Sequence, residues 1–167
     1  EIIARFWEHA QRYYVHSDGT PTYEINNFRQ ALRPLQFLYG STLAVEFGPR
    51  GLLAVRHHLV QKGLCRSNIN KMVGRIKMIF RWAAEKELIP AGVYHALQTV
   101  KGLPKGRSEA KETSPVGPAP QEYIDAIEPY VSRQVWALIQ LQLLSGARSG
   151  ELVILRPCDI DMSAEVW

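Results

Sequence analysis

With 167 residues, 46 % of them apolar and 22 % charged, the chain has an ordinary globular composition and room for one domain, or for a small domain and part of another. No apolar run is long enough to span a bilayer and no signal-peptide pattern opens the chain, which argues against membrane-embedded and secreted classes. The net charge of +4 is unevenly spread: residues 1–107 carry 16 Lys and Arg against 7 acids, and residues 108–167 carry 4 against 9. Glu1-Ile2-Ile3-Ala4-Arg5-Phe6-Trp7 opens as helix without an initiator Met, and Ala164-Glu165-Val166-Trp167 reads as the start of a strand. The chain is therefore expected to be cut from something longer at both ends.

In chain order, Ile2, Ile3, Phe6, Ala10 and Tyr13 mark a first helix from Glu1 to about His16, broken by Ser17-Asp18-Gly19-Thr20-Pro21. Thr22 is the expected N-cap of a second helix, with Ile25, Phe28, Leu32, Leu35 and Leu38 on one face. Pro34 predicts a kink or break in it, and Gly40 its end. A third helix opens at Pro49 and closes at Gly63. The fourth, expected to be capped by Ser67 and to run to about Glu87, is the clearest. At 100° per residue, Ile69, Met72, Val73, Ile76, Ile79, Phe80 and Ala83 share one arc, and Lys71, Gly74, Arg75, Met78, Arg81 and Trp82 share the opposite one. Pro90 stops it, and a short fifth helix spans about Ala91 to Val100. Residues 1–100 thus form a first helical domain. Residues 101–119, rich in Pro, Gly and charge, read as a linker. In residues 120–167 a short helix from about Gln121 to Ile127 precedes one opened by Ser132. The latter has no charge between Gln134 and Ala147. Being apolar nearly all round, it is expected to be buried in a domain larger than the residues left to build one.

Two constellations point to chemistry. From Arg50 to Arg81 there are eight bases (Arg50, Arg56, Lys62, Arg66, Lys71, Arg75, Lys77 and Arg81) and no acid, a pattern suited to a polyphosphate. Lys71, Arg75 and Arg81 would meet phosphates, Gly74 would allow close backbone approach, and Trp82 would pack on a sugar or base edge. The other reading is a solvated helix face. Lys105 and Arg107, with Lys101 and Lys111, would follow a duplex between domains or simply keep the linker solvated. The second constellation is Leu144-Ser145-Gly146-Ala147-Arg148-Ser149-Gly150-Glu151-Leu152. It sets an arginine in a turn between two apolar helices, where its guanidinium and the free N–H groups of the next turn would hold an anion. The alternative is an arginine that pairs with Glu151 and does nothing more. Cys65 and Cys158 have no CxxC spacing and read as reduced thiols of a cytoplasmic protein, not a zinc site. His57 and His58 read as surface residues, and Trp7, Trp136 and Trp167 as core aromatics.

Residues 145–161, running from Ser145-Gly-Ala-Arg-Ser-Gly-Glu-Leu to Asp159-Ile-Asp161, resemble the motif around the first catalytic arginine of the tyrosine recombinases, the phage-integrase family. Ser145 stands where that family usually has Thr. The run Asn70–Ile89 resembles the last long helix of the family's core-binding domain. The resemblance implies a mainly α chain. Four to five helices would form a SAM-like core-binding domain, followed by a linker and the first helices of a truncated mixed α+β catalytic domain. It implies double-stranded DNA as partner, other protomers of the same recombinase assembled on that DNA, and neither a metal nor a nucleotide cofactor. Arg148 would clamp the scissile phosphate and Glu151 orient it, while a tyrosine forms a 3′-phosphotyrosyl link and releases a 5′-hydroxyl. Arg50, Arg66, Lys71, Arg75, Lys77, Arg81, Trp82, Lys105 and Arg107 would contact DNA. The family's hairpin lysine, His-x-x-Arg motif and nucleophilic tyrosine do not follow Arg148 within these residues, so the chain alone is expected not to cleave. A non-enzymatic helical DNA-binding module with a structural Arg148 is the alternative, and a type IB topoisomerase a more distant one.

Overall fold

The computed structural model describes residues 1–160 and Ser163. Eight α-helices and two short 3₁₀ turns make up the regular structure among them, with two isolated β-bridges and no strand. The strand expected at residues 164–167, and with it Asp161 and Trp167, lies outside the described residues. None of the described helices is long and apolar enough to cross a membrane. The chain divides into two units, Glu1–Ser114 and Pro115–Trp167.

In the first unit, α1 (Ile2–Tyr13), α2 (Glu24–Tyr39), α3 (Pro49–Gln61) and α5 (Ala91–Gln98) each pack on α4 (Arg66–Glu85), the element that all four share. The reason lies in its sequence: Ile69, Met72, Val73, Ile76, Ile79, Phe80 and Ala83 are all buried. They meet Phe6 and Ala10 of α1, Phe28, Ala31, Leu32 and Leu35 of α2, Leu52, Val55 and Leu59 of α3, and Leu97 of α5 in one core. Each Leu, Ile, Val, Met or Phe among them contributes roughly 1.5–3 kcal/mol by leaving water, and each Ala less.

The helix ends differ in detail from expectation. Thr22 is not the cap of α2; Tyr23 occupies that position, and the Thr22 hydroxyl donates to the Tyr14 carbonyl at 3.0 Å, tying the end of α1 to the start of α2. Of the kink or break expected at Pro34, a break does not occur: α2 runs through it with Pro34 buried, so packing outweighs the lost N–H. Ser67 lies inside α4, whose N-cap is Cys65. The C-terminus of α3 follows the expected pattern. Gly63 takes φ +71°, its N–H donates to the Val60 carbonyl, and the Leu64 N–H donates to that of Leu59. The end of α4 repeats that geometry with Glu87 at φ +54°, the one non-glycine residue with positive φ among the described residues.

The expected linker is shorter than residues 101–119. Leu103 and Asn70 exchange two hydrogen bonds, with the Leu103 N–H donating at 2.7 Å and the Asn70 amide at 3.0 Å. The Arg66 N–H donates to the Lys111 carbonyl at 2.8 Å, and Ala110 is buried in the core. Residues 101–111 therefore belong to the helical unit. Leu103 and Ala110 supply the apolar contacts that the surrounding Pro, Gly and charge concealed. Residues 112–120 are exposed and have no regular structure.

The second unit comprises α6 (Gln121–Ala126), α7 (Arg133–Ser145) and α8 (Ser149–Val153). Ser132 caps α7 as expected, its hydroxyl accepting from the Val135 N–H at 3.3 Å. The apolar side chains of α7 are not enclosed. Leu144 is 85 % exposed, Val135, Leu141 and Leu143 are also exposed, and Leu152 is the buried hydrophobic of this unit among the described residues.

Candidate nucleic-acid interface

The predicted basic side of α4 separates into bases with a carboxylate partner and bases without one. Arg75 belongs to the first group. Its Nε and Nη2 donate to Glu24 Oε1 and Oε2 at 2.8 and 3.0 Å, and its side chain is only 17 % exposed. Glu24 also accepts from the Asn27 amide at 2.7 Å. The Arg75 hydrogen bonds, ahead of that of Asn27, hold the Glu24 carboxyl below the usual glutamate range against the opposing effect of burial. Arg66 is likewise engaged: Nε donates to Glu112 Oε1 at 2.5 Å, and its side chain is 20 % exposed. Both guanidiniums hold parts of the helical unit together, so their charge is already met inside the protein.

Lys71, Arg81 and Arg50 are exposed and make no ion pair among the described residues. Gly74, on the same side of α4, is open: a Cβ built there would meet nothing within 4 Å. Trp82 does not join this surface. Its ring stands edge-on to Phe6 at 5.4 Å between centroids and stacks on His9 at 5.2 Å, and its Nε1 is buried without a hydrogen-bond partner among the described residues. The indole gains more by covering α1 than by facing water. Lys77 is half-buried. Its ammonium donates to the Val100 carbonyl, and burial first, then Arg56, lower its pKa. Lys105 and Arg107 are exposed in the segment that packs on the helical unit, in a turn where Gly106 takes φ +68° and Glu112 accepts from its N–H at 3.4 Å.

His57 is exposed and His58 half-buried, stacked on Phe37 at 5.7 Å. Trp7 is half-buried, with the Arg29 guanidinium 5.2 Å over its ring, and Trp136 is half-buried. Cys65 and Cys158 are free thiols. Among the described residues no group of three His, Cys, Asp or Glu is arranged to hold a metal ion.

In the second unit, α7 ends on Gly146 in the left-handed region (φ +65°), which frees the chain to turn. The Ser145 hydroxyl donates to the Leu141 carbonyl at 2.6 Å and accepts from the Ala147 N–H at 3.2 Å. A hydroxyl at 145 thus bridges helix end and turn. Arg148 is the N-cap of α8. Glu151 reaches back to it, accepting from the Arg148 N–H at 2.9 Å and from Nη1 at 3.2 Å. The carboxylate therefore fixes the backbone and one edge of the guanidinium together, while the Arg148 side chain stays 88 % exposed. Such an exposed pair adds little stability, and the other edge of the guanidinium faces solvent. Further on, Asp159 accepts from the Arg156 N–H and from its Nε and Nη2 at 3.0–3.2 Å. Arg156 lowers the Asp159 pKa.

Charge pattern alone did not reveal Glu24 and Glu112, which neutralise two predicted DNA contacts from far along the chain. It also gave no particular role to Arg56, whose Nη1 donates to the Lys101 carbonyl at 2.7 Å. No protein-family model, curated protein or solved structure matches the chain.

Proposed function

We propose that the chain is the DNA-binding part of a site-specific tyrosine recombinase of the phage-integrase type, with Arg148 as the first catalytic arginine and double-stranded DNA as partner. The observation that carries this reading is the turn at 145–152. A left-handed glycine, a solvent-facing arginine and a glutamate that braces it from behind stand in the order the family motif requires. In the proposed reaction a tyrosine oxygen bonds to the scissile phosphorus as the bond to the 5′-oxygen breaks. The leaving oxygen takes up a proton, and the phosphotyrosyl ester retains the energy for rejoining. Arg148 would bind the non-bridging oxygens and oppose the charge that grows on them. The exposed Lys71, Arg81 and Arg50 would hold the duplex through its phosphates.

The Arg148–Glu151 pair also fits the second reading, a helical DNA-binding module in which that arginine merely closes a turn. The two separate in the parent recombinase. Arg148→Ala is expected to abolish strand cleavage, measured on a labelled duplex, while duplex affinity stays within about threefold, since one of several phosphate contacts is lost. A variant that still cleaves removes the catalytic assignment, and a wild-type protein that binds the duplex without cleaving it leaves the module reading.

A further inference from the structure

Arg56 and Lys77 reach from different helices to one short piece of backbone. Arg56, on α3, donates to the Lys101 carbonyl. Lys77, on α4, donates to the Val100 carbonyl. The two carbonyls are consecutive and lie just past the C-terminal end of α5. Arg66, Arg75, Arg148 and Arg156 each have a carboxylate partner, whereas neither Arg56 nor Lys77 has one among the described residues. Both are half-buried, and they are close enough for Arg56 to disfavour the charge on Lys77.

The carbonyls orient these side chains without neutralising them. A helix C-terminus presents about half an elementary charge, and two full positive charges converge on it. The bond to Lys101 also uses one of the five guanidinium donors, and that to Val100 one of the three ammonium donors. What would complete the arrangement is a compact anion with several acceptor oxygens. A guanidinium fork beside an ammonium suits a phosphate. No acid occurs between Arg50 and Arg81, and Lys101 is exposed beside the pair, which favours a ligand that presents phosphates in series.

We propose that Arg56 and Lys77, braced on the Lys101 and Val100 carbonyls, form a seat for one backbone phosphate of duplex DNA. The seat rests on the DNA-binding reading above; it adds Arg56 to that reading and pairs it with Lys77 of another helix, so that the two must act together.

The test measures duplex affinity of the whole chain against salt concentration for wild type, Arg56→Gln, Arg56→Lys and Lys77→Gln. Each Gln variant should lower the log–log slope by about one, the amount expected for one phosphate contact. Arg56→Lys, which keeps the charge, should retain the wild-type slope. Equal slopes in all four proteins would overturn the seat while leaving duplex binding in place. If a Gln variant fails to fold, wild-type NMR in inorganic phosphate decides. Saturable shifts of the Arg56 Nε–H and Lys77 Nζ signals, absent in chloride at equal ionic strength, would support the seat; identical spectra would overturn it. Absence of duplex binding would itself remove the functional reading, so the two failures remain distinct.

Discussion

Arg75 and Arg81 sit on the same helix and carry the same charge, but only one of them is committed within the protein. Arg75 closes on Glu24 with two hydrogen bonds; Arg81 is exposed and has no carboxylate partner among the described residues. Arg75→Ala should therefore cost about 1–3 kcal/mol at neutral pH by leaving a half-buried carboxylate short of donors, with little change in the salt slope of duplex binding. Arg81→Ala should leave stability within about 0.5 kcal/mol and lower the slope by about one. The pH dependence follows from the lowered Glu24 pKa. The stabilisation is fully present above the ordinary glutamate value of about 4.3 and is lost as pH falls below it through the lowered native value. Urea titrations at neutral pH and near pH 3 should show the gap between wild type and Arg75→Ala closing on the acid side. A gap independent of pH would mean that the pair is not its source. Helical periodicity assigned Arg75 to its side of α4. It could not show that α2 brings Glu24 there, since the partners are 51 residues apart. Trp82 was unreadable for the same reason: α1 covers it.

At the level of elements, the repeat of apolar residues along α4 was enough to identify its buried side, because seven positions on one arc leave few other ways to exclude water. Cap chemistry was less legible. Thr22 and Ser67 have the hydroxyl that capping needs, but that of Thr22 goes to the Tyr14 carbonyl and that of Ser67 lies against the Cys65 thiol at the start of its own helix, and each boundary falls a residue or two away from them. Gly74 presents a separate question. A glycine inside an exposed helical side costs roughly 0.5–1 kcal/mol relative to alanine, and no neighbouring atom in the structure requires it. If its role is to let a phosphate backbone approach, Gly74→Ala should raise the urea midpoint by the equivalent of about 0.5–1 kcal/mol while weakening duplex binding. A stabilised variant with unchanged affinity would show that the duplex does not approach α4 at this point. The apolar pattern of α7 was equally plain in the sequence, and the structure leaves much of it exposed; a pattern can demand cover without naming what supplies it.

At the scale of the whole chain, charge and architecture divide at nearly the same place. Residues 1–114 carry 17 Lys and Arg against 9 acids, and residues 115–167 carry 3 against 7. The boundary read from composition came too early because composition counts the Pro, Gly and charge of 101–111 but not Leu103 on Asn70 or Ala110 in the core. Those contacts also determine where a cut should be tolerated. A chain ending at Ser114 keeps the Arg66–Glu112 pair and the Lys111 carbonyl contact; one ending at Val100 loses both, along with the Lys101 carbonyl that holds Arg56. The 1–114 chain should therefore melt cooperatively by circular dichroism, and it should bind duplex DNA with a salt slope lower than that of the full chain by only about one, since the Arg148 contact is lost and the exposed unpaired bases of the helical unit are retained. The 1–100 chain should melt lower and bind more weakly. If 1–114 lost the slope while remaining folded, the phosphate contacts would have to come from Arg133, Arg148 or Arg156, and the basic helical unit would not be the part that grips DNA.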